Sequence, residues 1–190
     1  MASSLSKTTV QTAMGRILSK LGIVKPVDQM KTKILNQLNI SQKELWDEIV
    51  KDPAIENLYV VKHATPISLE HGTFNLSSIS NYQKVSEFGR NGWGKANKTD
   101  GETISELSKD KFAEKEIHYT IYGEILEVFI GKQLPQTTDN FYLKYVRLCK
   151  ELALKTDLLD VPDGYEDKLV NKVILSIGGV PPTIEPKDKK

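Results

Sequence analysis

The string Gly89-Arg90-Asn91-Gly92-Trp93-Gly94-Lys95-Ala96 carries the most specific chemical pattern in the chain, the G-x-x-x-x-G-K of a phosphate-binding loop. In such a loop backbone N–H groups cradle phosphates, the lysine reaches the outer ones, and a following Ser or Thr binds Mg²⁺. Here Ala96 stands in that last position. The flanks fail as well. A phosphate loop follows a buried strand and opens a long helix, whereas Val85-Ser86-Glu87-Phe88 reads as a poor strand and Asn97-Lys98-Thr99-Asp100-Gly101 as a turn. The expected structure is an exposed, glycine-permissive loop with Trp93 tucked down as its anchor, and nucleotide binding is not expected.

The same loop is basic. Between residues 84 and 98, Lys84, Arg90, Lys95 and Lys98 stand against Glu87 alone, with Trp93 among them. Cations interleaved with an aromatic ring and glycines can contact phosphates and stack on a base. Lys84, Arg90, Trp93, Lys95 and Lys98 are therefore the candidate contact for nucleic acid or for a protein neighbour. The plainer alternative is a solvated loop on a near-neutral protein.

Little else points to catalysis. His63, His71 and His118 are the histidines, and His63 and His71 with Glu70 are the one combination that suggests a metal pair. Catalytic zinc motifs place two histidines at i and i+4 of a helix, and that spacing is absent. The chain has no Gly-x-Ser-x-Gly elbow. The acidic pairs Asp47/Glu48 and Glu166/Asp167 read as solvated charges near helix ends, and the second pair suits an N-terminal helix dipole. The expectation is no enzyme, no cofactor and no metal.

Composition narrows the class. With 39% hydrophobic and 27% charged residues and a net charge of +1, the chain is ordinary globular material, and any nucleic-acid contact has to come from a local patch. One cysteine, Cys149, rules out an internal disulfide and is expected in the core. Met1 to Val10 has no apolar run of leader length, and no stretch is long and apolar enough to cross a membrane, so a cytosolic location and no membrane contact are expected.

The elements that must position the loop read as helices, then strands, then helices. Val10, Met14, Ile17, Leu18 and Leu21 form one apolar stripe, closed by Gly22. A second stripe runs through Met30, Ile34, Leu35 and Leu38. Ser41 and Glu44 make a capping box for a third short helix with Leu45, Trp46 and Ile49, ended by Asp52-Pro53. Leu58 to Val61 is β-prone, and residues 67 to 101 are rich in Ser, Asn and Gly with scattered apolar residues. Thr103-x-x-Glu106 is a second capping box, for a helix around 104 to 114. Ile117–Tyr122 and Ile125–Ile130, joined by Gly123-Glu124, read as a hairpin with a type II′ turn. Thr138 or Asp139 caps a predicted helix to about residue 154, with Phe141, Tyr145, Leu148 and Leu152 as its stripe, widened by Val146 and Cys149. Pro162 opens a last helix through Leu169, Val173, Ile174 and Ile177, stopped by Gly178-Gly179 and Pro181-Pro182.

The predicted fold class is thus α+β, a helical-bundle body with a β-hairpin and loop-rich insert. It is one domain over 1–182, helical in 1–56, β and loop in 57–135 and helical in 136–180, followed by a polar tail over 183–190. The segment from Thr65 to Gly101 has few apolar residues, and with the tail is expected to gain order from a neighbouring copy.

From Phe141 to Gly179, an amphipathic helix is followed by Leu158-Leu159-Asp160-Val161-Pro162-Asp163-Gly164-Tyr165-Glu166, which enters a closing helix with Leu169, Val170 and Asn171. This stretch resembles the C-terminal part of head-to-tail adaptor (connector, neck-ring) proteins of tailed bacteriophages. Those have paired N-terminal helices, a β-containing insert and a Pro-x-x-Tyr-like entry to the last helix. The chain differs in its second helix, which reads as split at Asn39-Ile40-Ser41. The resemblance implies a non-enzymatic subunit of a homo-oligomeric ring around a DNA channel, beside portal- and tail-type proteins. It also implies a virion location after assembly in the host cytoplasm. A nucleic-acid-binding module using residues 84–98 is the alternative, and a nucleotide-binding enzyme the third.

Overall fold

The computed structural model describes residues 4–99, 104–107, 109–110 and 112–178. Thr103 of the second capping box, the Gly179-Pro181-Pro182 stop and the tail 183–190 lie outside them. The chain forms two compact units, one from residues up to Leu58 together with Cys149 onward, the other Tyr59–Leu148.

The first unit is helical. Helix α1, Val10–Lys20, starts at Thr9, whose hydroxyl accepts from the Thr12 N–H, and buries Val10, Ala13, Met14 and Ile17. It ends as its sequence implies. Gly22 takes φ +70, its N–H donates to Ser19 O, and the Ile23 N–H donates to Leu18 O, a Schellman close. Helix α2 runs unbroken over Asp28–Ile49, which corrects the split expected at residues 39–41. Nothing in Asn39-Ile40-Ser41 breaks a helix, and Ser41 is a fully buried interior position, not a cap. A short α3, Pro53–Glu56, is capped by the Asp52 carboxylate.

From Cys149 to the last helix the chain is a strap without helix or named strand, held by side-chain amides of α2. Asn39 donates to Leu152 O at 2.9 Å and accepts from the Leu152 N–H at 2.8 Å. Gln42, fully buried, donates to Lys150 O at 2.9 Å and accepts from the Asp160 N–H at 2.7 Å. The Asp160 carboxylate in turn accepts from the Lys150 N–H at 2.7 Å. Each amide thus pairs with backbone as a strand would. Cys149 is half-buried against Gln42, not deep in a core. The strap also receives the N-terminus, through bridges Leu5–Pro162 and Thr9–Leu158. Pro162 therefore sits in a bridge, and the last helix, α5 at Glu166–Ile177, starts at Tyr165. Its first-turn Glu166 and Asp167 match the helix dipole, and Gly178 closes it at φ +97. Leu169, Val170, Val173 and Ile174 of α5 are fully buried, and α5 packs on both α1 and α2.

The second unit is built from strands. β1 (Val60–Lys62), β3 (Tyr82–Arg90), β4 (Gly94–Lys95) and β8 (Phe141–Arg147) form one sheet in the order β1-β8-β3-β4. β2 (Thr73–Asn75), β5 (Asn97–Lys98), β6 (Ile117–Tyr122) and β7 (Ile125–Ile130) form another in the order β2-β7-β6-β5. The chain crosses from the first sheet to the second at Ala96, which is buried between β4 and β5. Phe88 carries the core between the sheets, stacked on Phe141 at 5.4 Å and edge-on to Tyr119 at 5.4 Å. The β6–β7 hairpin is as expected, with Tyr122 paired to Ile125 and Gly123 at φ +59. The helix expected around 104 to 114 is one turn, α4 at Ile104–Leu107, and a 3₁₀ turn, Phe112–Lys115.

Two corrections follow, and together they replace the helical-bundle body by a helical unit and a two-sheet β unit, still α+β. The helix expected over 139–154 is strand β8 and part of the strap. In β8 Phe141, Leu143 and Tyr145 are buried while Tyr142 and Lys144 are not, a period of two. Leu148, expected on the buried stripe, is 44% exposed. The stretch 85–88, expected to be a poor strand, lies inside nine-residue β3. Register shifts between Tyr82/Lys84 and Val85/Glu87 interrupt its alternation, and so hide it in the sequence. The segment expected to need a neighbour, Thr65 to Gly101, also has a core of its own over its described part, 65–99. Ile67, Leu69, Leu76, Ile79, Phe88 and Ala96 all belong to the buried cluster of this unit, so a neighbour is not needed to order it.

Candidate functional site

The phosphate-loop-like string folds as the β3–β4 hairpin. Its turn is Arg90-Asn91-Gly92-Trp93, closed by the Trp93 N–H on Arg90 O at 3.0 Å, with Gly92 at φ +84 as a type II turn requires. Gly89 is glycine for packing. A Cβ there would run into the Gly94 carbonyl oxygen across the hairpin and into the Tyr142 ring. Lys95 is followed by strand β5, not by a helix, so the string offers no helix N-terminus to a phosphate.

The five candidate residues differ in exposure. Arg90 is 6% exposed, donates from Nη1 to the Pro135 carbonyl at 2.7 Å and lies 5.6 Å over the Phe141 ring. It fastens the loop before β8 and is not presented to a ligand. Lys84 is exposed on β3 and Lys98 on β5. Trp93 is 53% exposed at the hairpin tip, contrary to the buried anchor expected of it.

Trp93 and Lys95 line one cleft of about 230 Å³ with Asn97, Lys115, Glu116, Ile117 and Leu134. Lys115 joins them because β5 pairs in parallel with β6, setting Asn97 beside His118. The Glu116 carboxylate accepts from Asn97 Nδ2 at 2.8 Å and lies 3.1 Å from His118 Nε2, while the Thr99 hydroxyl is 3.2 Å from His118 Nδ1. The mouth is therefore mainly polar, with two exposed ammonium groups beside the edge of Trp93 and its one carboxylate already engaged by an amide and an imidazole. Sequence reasoning missed Lys115, Asn97 and Glu116, since no local signal tells which strand β5 joins.

A second basic–aromatic group lies on β1, β3 and β8. Lys62 and Lys144 stand 5.8 and 6.0 Å from the Tyr142 ring centroid. Lys144 pairs with Glu87 at 3.0 Å, and its hydrogen bond holds the Glu87 carboxyl below its usual range. Burial, then the neighbouring Glu87, pushes the Tyr142 hydroxyl up. Glu87, the single acid of the basic loop, is thus matched to Lys144.

His63 turns to the Thr65 carbonyl at 2.8 Å, and among the described residues no three His, Cys, Asp or Glu side chains converge to hold a metal ion. No described helix is long and apolar enough to cross a membrane. The chain matches no protein-family model and no curated protein.

Proposed function

We propose that the chain is a structural assembly subunit, one copy of a closed homo-oligomeric ring of the head-to-tail connector kind around a DNA channel. On this reading it is not an enzyme, its partners are further copies and portal- and tail-type proteins, and it belongs to a virion assembled in the host cytoplasm. The resemblance supports this through the closing helix, Glu166–Ile177, alone, because Phe141–Arg147 is a strand and not the amphipathic helix with which the resemblance begins. The expected ordering of Thr65–Gly101 by a neighbour does not, because its described part, 65–99, has its own core.

The observation that carries the reading is Val27. It occupies the N-cap of α2 without a side-chain cap hydrogen bond, and it is 67% exposed. Valine is among the poorest N-cap residues, so neither capping nor burial accounts for it. Val24, three residues earlier, is 89% exposed. A hollow of about 570 Å³ along α2, bounded by Val27, Met30 and Lys33, lies on one side. Another of about 280 Å³, bounded by Met14, Leu18 and Lys155, lies beside α1. An apolar corner with a polar rim is what a protein partner covers. The occupant is a second copy, since a chain of net charge +1 meets its own kind without strong repulsion. In a ring the corner meets a different patch of the next copy, and rotation closes the circle.

Val24→Asp with Val27→Asp tests this. Asp at the N-cap is favourable, so the urea midpoint should hold or rise, while the charges should disperse the assembled species in sedimentation velocity. Unchanged assembly in the folded double variant would remove this corner from the interface.

The alternative, a nucleic-acid-binding module, is favoured by one observation, the two exposed lysines, Lys95 and Lys115, that line one cleft beside the exposed Trp93.

A further inference from the structure

We infer that the outer face of the β1-β8-β3-β4 sheet docks the phosphate backbone of duplex DNA, through Lys62, Lys95 and Lys144 around Tyr142. This names the face that looks into the channel of the proposed ring, and rests on that reading for where the DNA comes from.

Strand register brings the lysines together. Residues paired across neighbouring strands share a face, so Lys62 stands opposite Lys144, and Lys144 opposite Glu87. Two residues along, Tyr142 is opposite Gly89, and Gly89 opposite Lys95. Lys84, exposed and opposite Val146, belongs to the same face. The other face turns Phe88, Phe141 and Leu143 into the core. Gly89 lets the Tyr142 ring lie down across β3, since a Cβ there would meet Tyr142 Oη and Cζ. The Tyr142 hydroxyl hydrogen-bonds the Glu87 carboxylate, and Lys62 and Lys144 flank the ring at 5.8 and 6.0 Å. The ring is thus engaged by its own neighbours and the surface is low, which suits a backbone more than an unstacked base.

Like charges directly opposite on paired strands are destabilising. Lys62 against Lys144 is such a pair, and Glu87, the single acid of the four strands, already pairs with Lys144 at 3.0 Å. Among the described residues, Lys62 and Lys95 have no carboxylate within ion-pair distance. One cation on each edge strand is therefore left for a ligand. The sheet order sets β1 and β4 three spacings apart, or about 14 Å at about 4.8 Å each. The major groove of B-DNA is about 12 Å wide, so Lys62 and Lys95 can meet phosphates on both of its sides. An acidic protein segment would answer the lysines too, but has no second row of charges to meet both edges.

The test is fluorescence anisotropy of the full chain with two labelled twenty-pair duplexes of unrelated sequence at about 50 mM salt. A twenty-residue oligothymidylate and polyglutamate of matched charge are the comparisons. Both duplexes should bind equally, and more tightly than either comparison. Lys62→Ala and Lys95→Ala should each lower the slope of log K against log salt by about 0.9 and weaken both duplexes alike. Glu87→Gln should strengthen binding, because it removes the opposing charge and frees Lys144. Lys43→Ala, on α2 of the helical unit, should leave binding unchanged. The urea midpoint should hold in Lys62→Ala and Lys95→Ala, both exposed positions, so that lost binding is not lost folding. Absence of duplex binding, an unchanged salt slope in both lysine variants, or equal or tighter binding of the single strand or of polyglutamate would overturn the assignment. Mass photometry on the same samples keeps the two readings apart. Rings that bind no duplex count against this face alone, and duplex binding by a monomer through Lys62 and Lys95 counts against the ring alone.

Discussion

Phe141→Ala should lower the unfolding free energy by about 3–5 kcal/mol, the range for removing a buried aromatic ring. Phe141 is fully buried, stacks on Phe88, lies beneath the Arg90 guanidinium, and exchanges backbone hydrogen bonds with Ile67. Its loss would leave a void at the centre of the two-sheet unit and unseat Arg90. Two companion substitutions separate strand from helix at this place. Leu143 is off the apolar stripe of a helix but fully buried in β8, so Leu143→Ala should cost about 2–5 kcal/mol. Leu148 is on that stripe but 44% exposed, so Leu148→Ala should cost no more than about 1 kcal/mol. Urea titration reads all three. The reverse order for Leu143 and Leu148 would restore the helix and undo the two-sheet unit.

The second large effect is expected at Gln42. Changing it to Leu keeps bulk in the core but leaves the Lys150 carbonyl and the Asp160 N–H without the amide that pairs with them. Each buried backbone group left unpaired costs about 1–3 kcal/mol, so the loss should be of the order of 3 kcal/mol. The strap should loosen before the helices do. Hydrogen exchange at the Asp160 amide should accelerate in Gln42→Leu, and at the Leu152 amide in Asn39→Leu, each with little change at the other site. A loss below about half a kcal/mol with unchanged exchange would show that the strap is held by its apolar residues, Leu152, Leu159 and Val161, alone.

These two places also show what the sequence does and does not disclose. α1, with its threonine cap and Gly22 close, and the Gly123 hairpin were legible because each follows from local rules, a stripe of one period and a turn residue of one conformation. α5 was legible for the same reason, except that Pro162 serves the strap rather than the helix. β8 was misread because Phe141, Tyr145, Leu148 and Leu152 fit helical spacing, while Phe141, Leu143 and Tyr145 fit alternation. Short apolar runs satisfy both, and only pairing with β1 and β3 decides. β3 was hidden by its two irregular registers. α2 was cut short because Ser41-x-x-Glu44 looks like a cap, although the buried hydroxyl there lies mid-helix. Asn39 and Gln42, polar residues in a helix, gave no hint that their amides replace a strand.

The site was legible in part. Trp93 and Lys95 were singled out from the basic, glycine-rich loop and do share a cleft. Arg90, the residue with the strongest claim on a phosphate by type, is instead buried against Phe141 and Pro135. A charge count cannot distinguish a guanidinium that faces solvent from one that ties a loop, because both are arginines beside glycines. Lys115 came in from twenty positions away through the β5–β6 pairing, which no local pattern foretells.

The central claim is that copies of this chain close into a ring. Direct imaging of the purified protein by electron microscopy, over a range of concentrations, tests it most directly. Annular particles of one rotational symmetry with an open centre are expected, their fraction rising with concentration. A population that stays monomeric at every concentration, or that forms open filaments or two-fold dimers without a central opening, would contradict it.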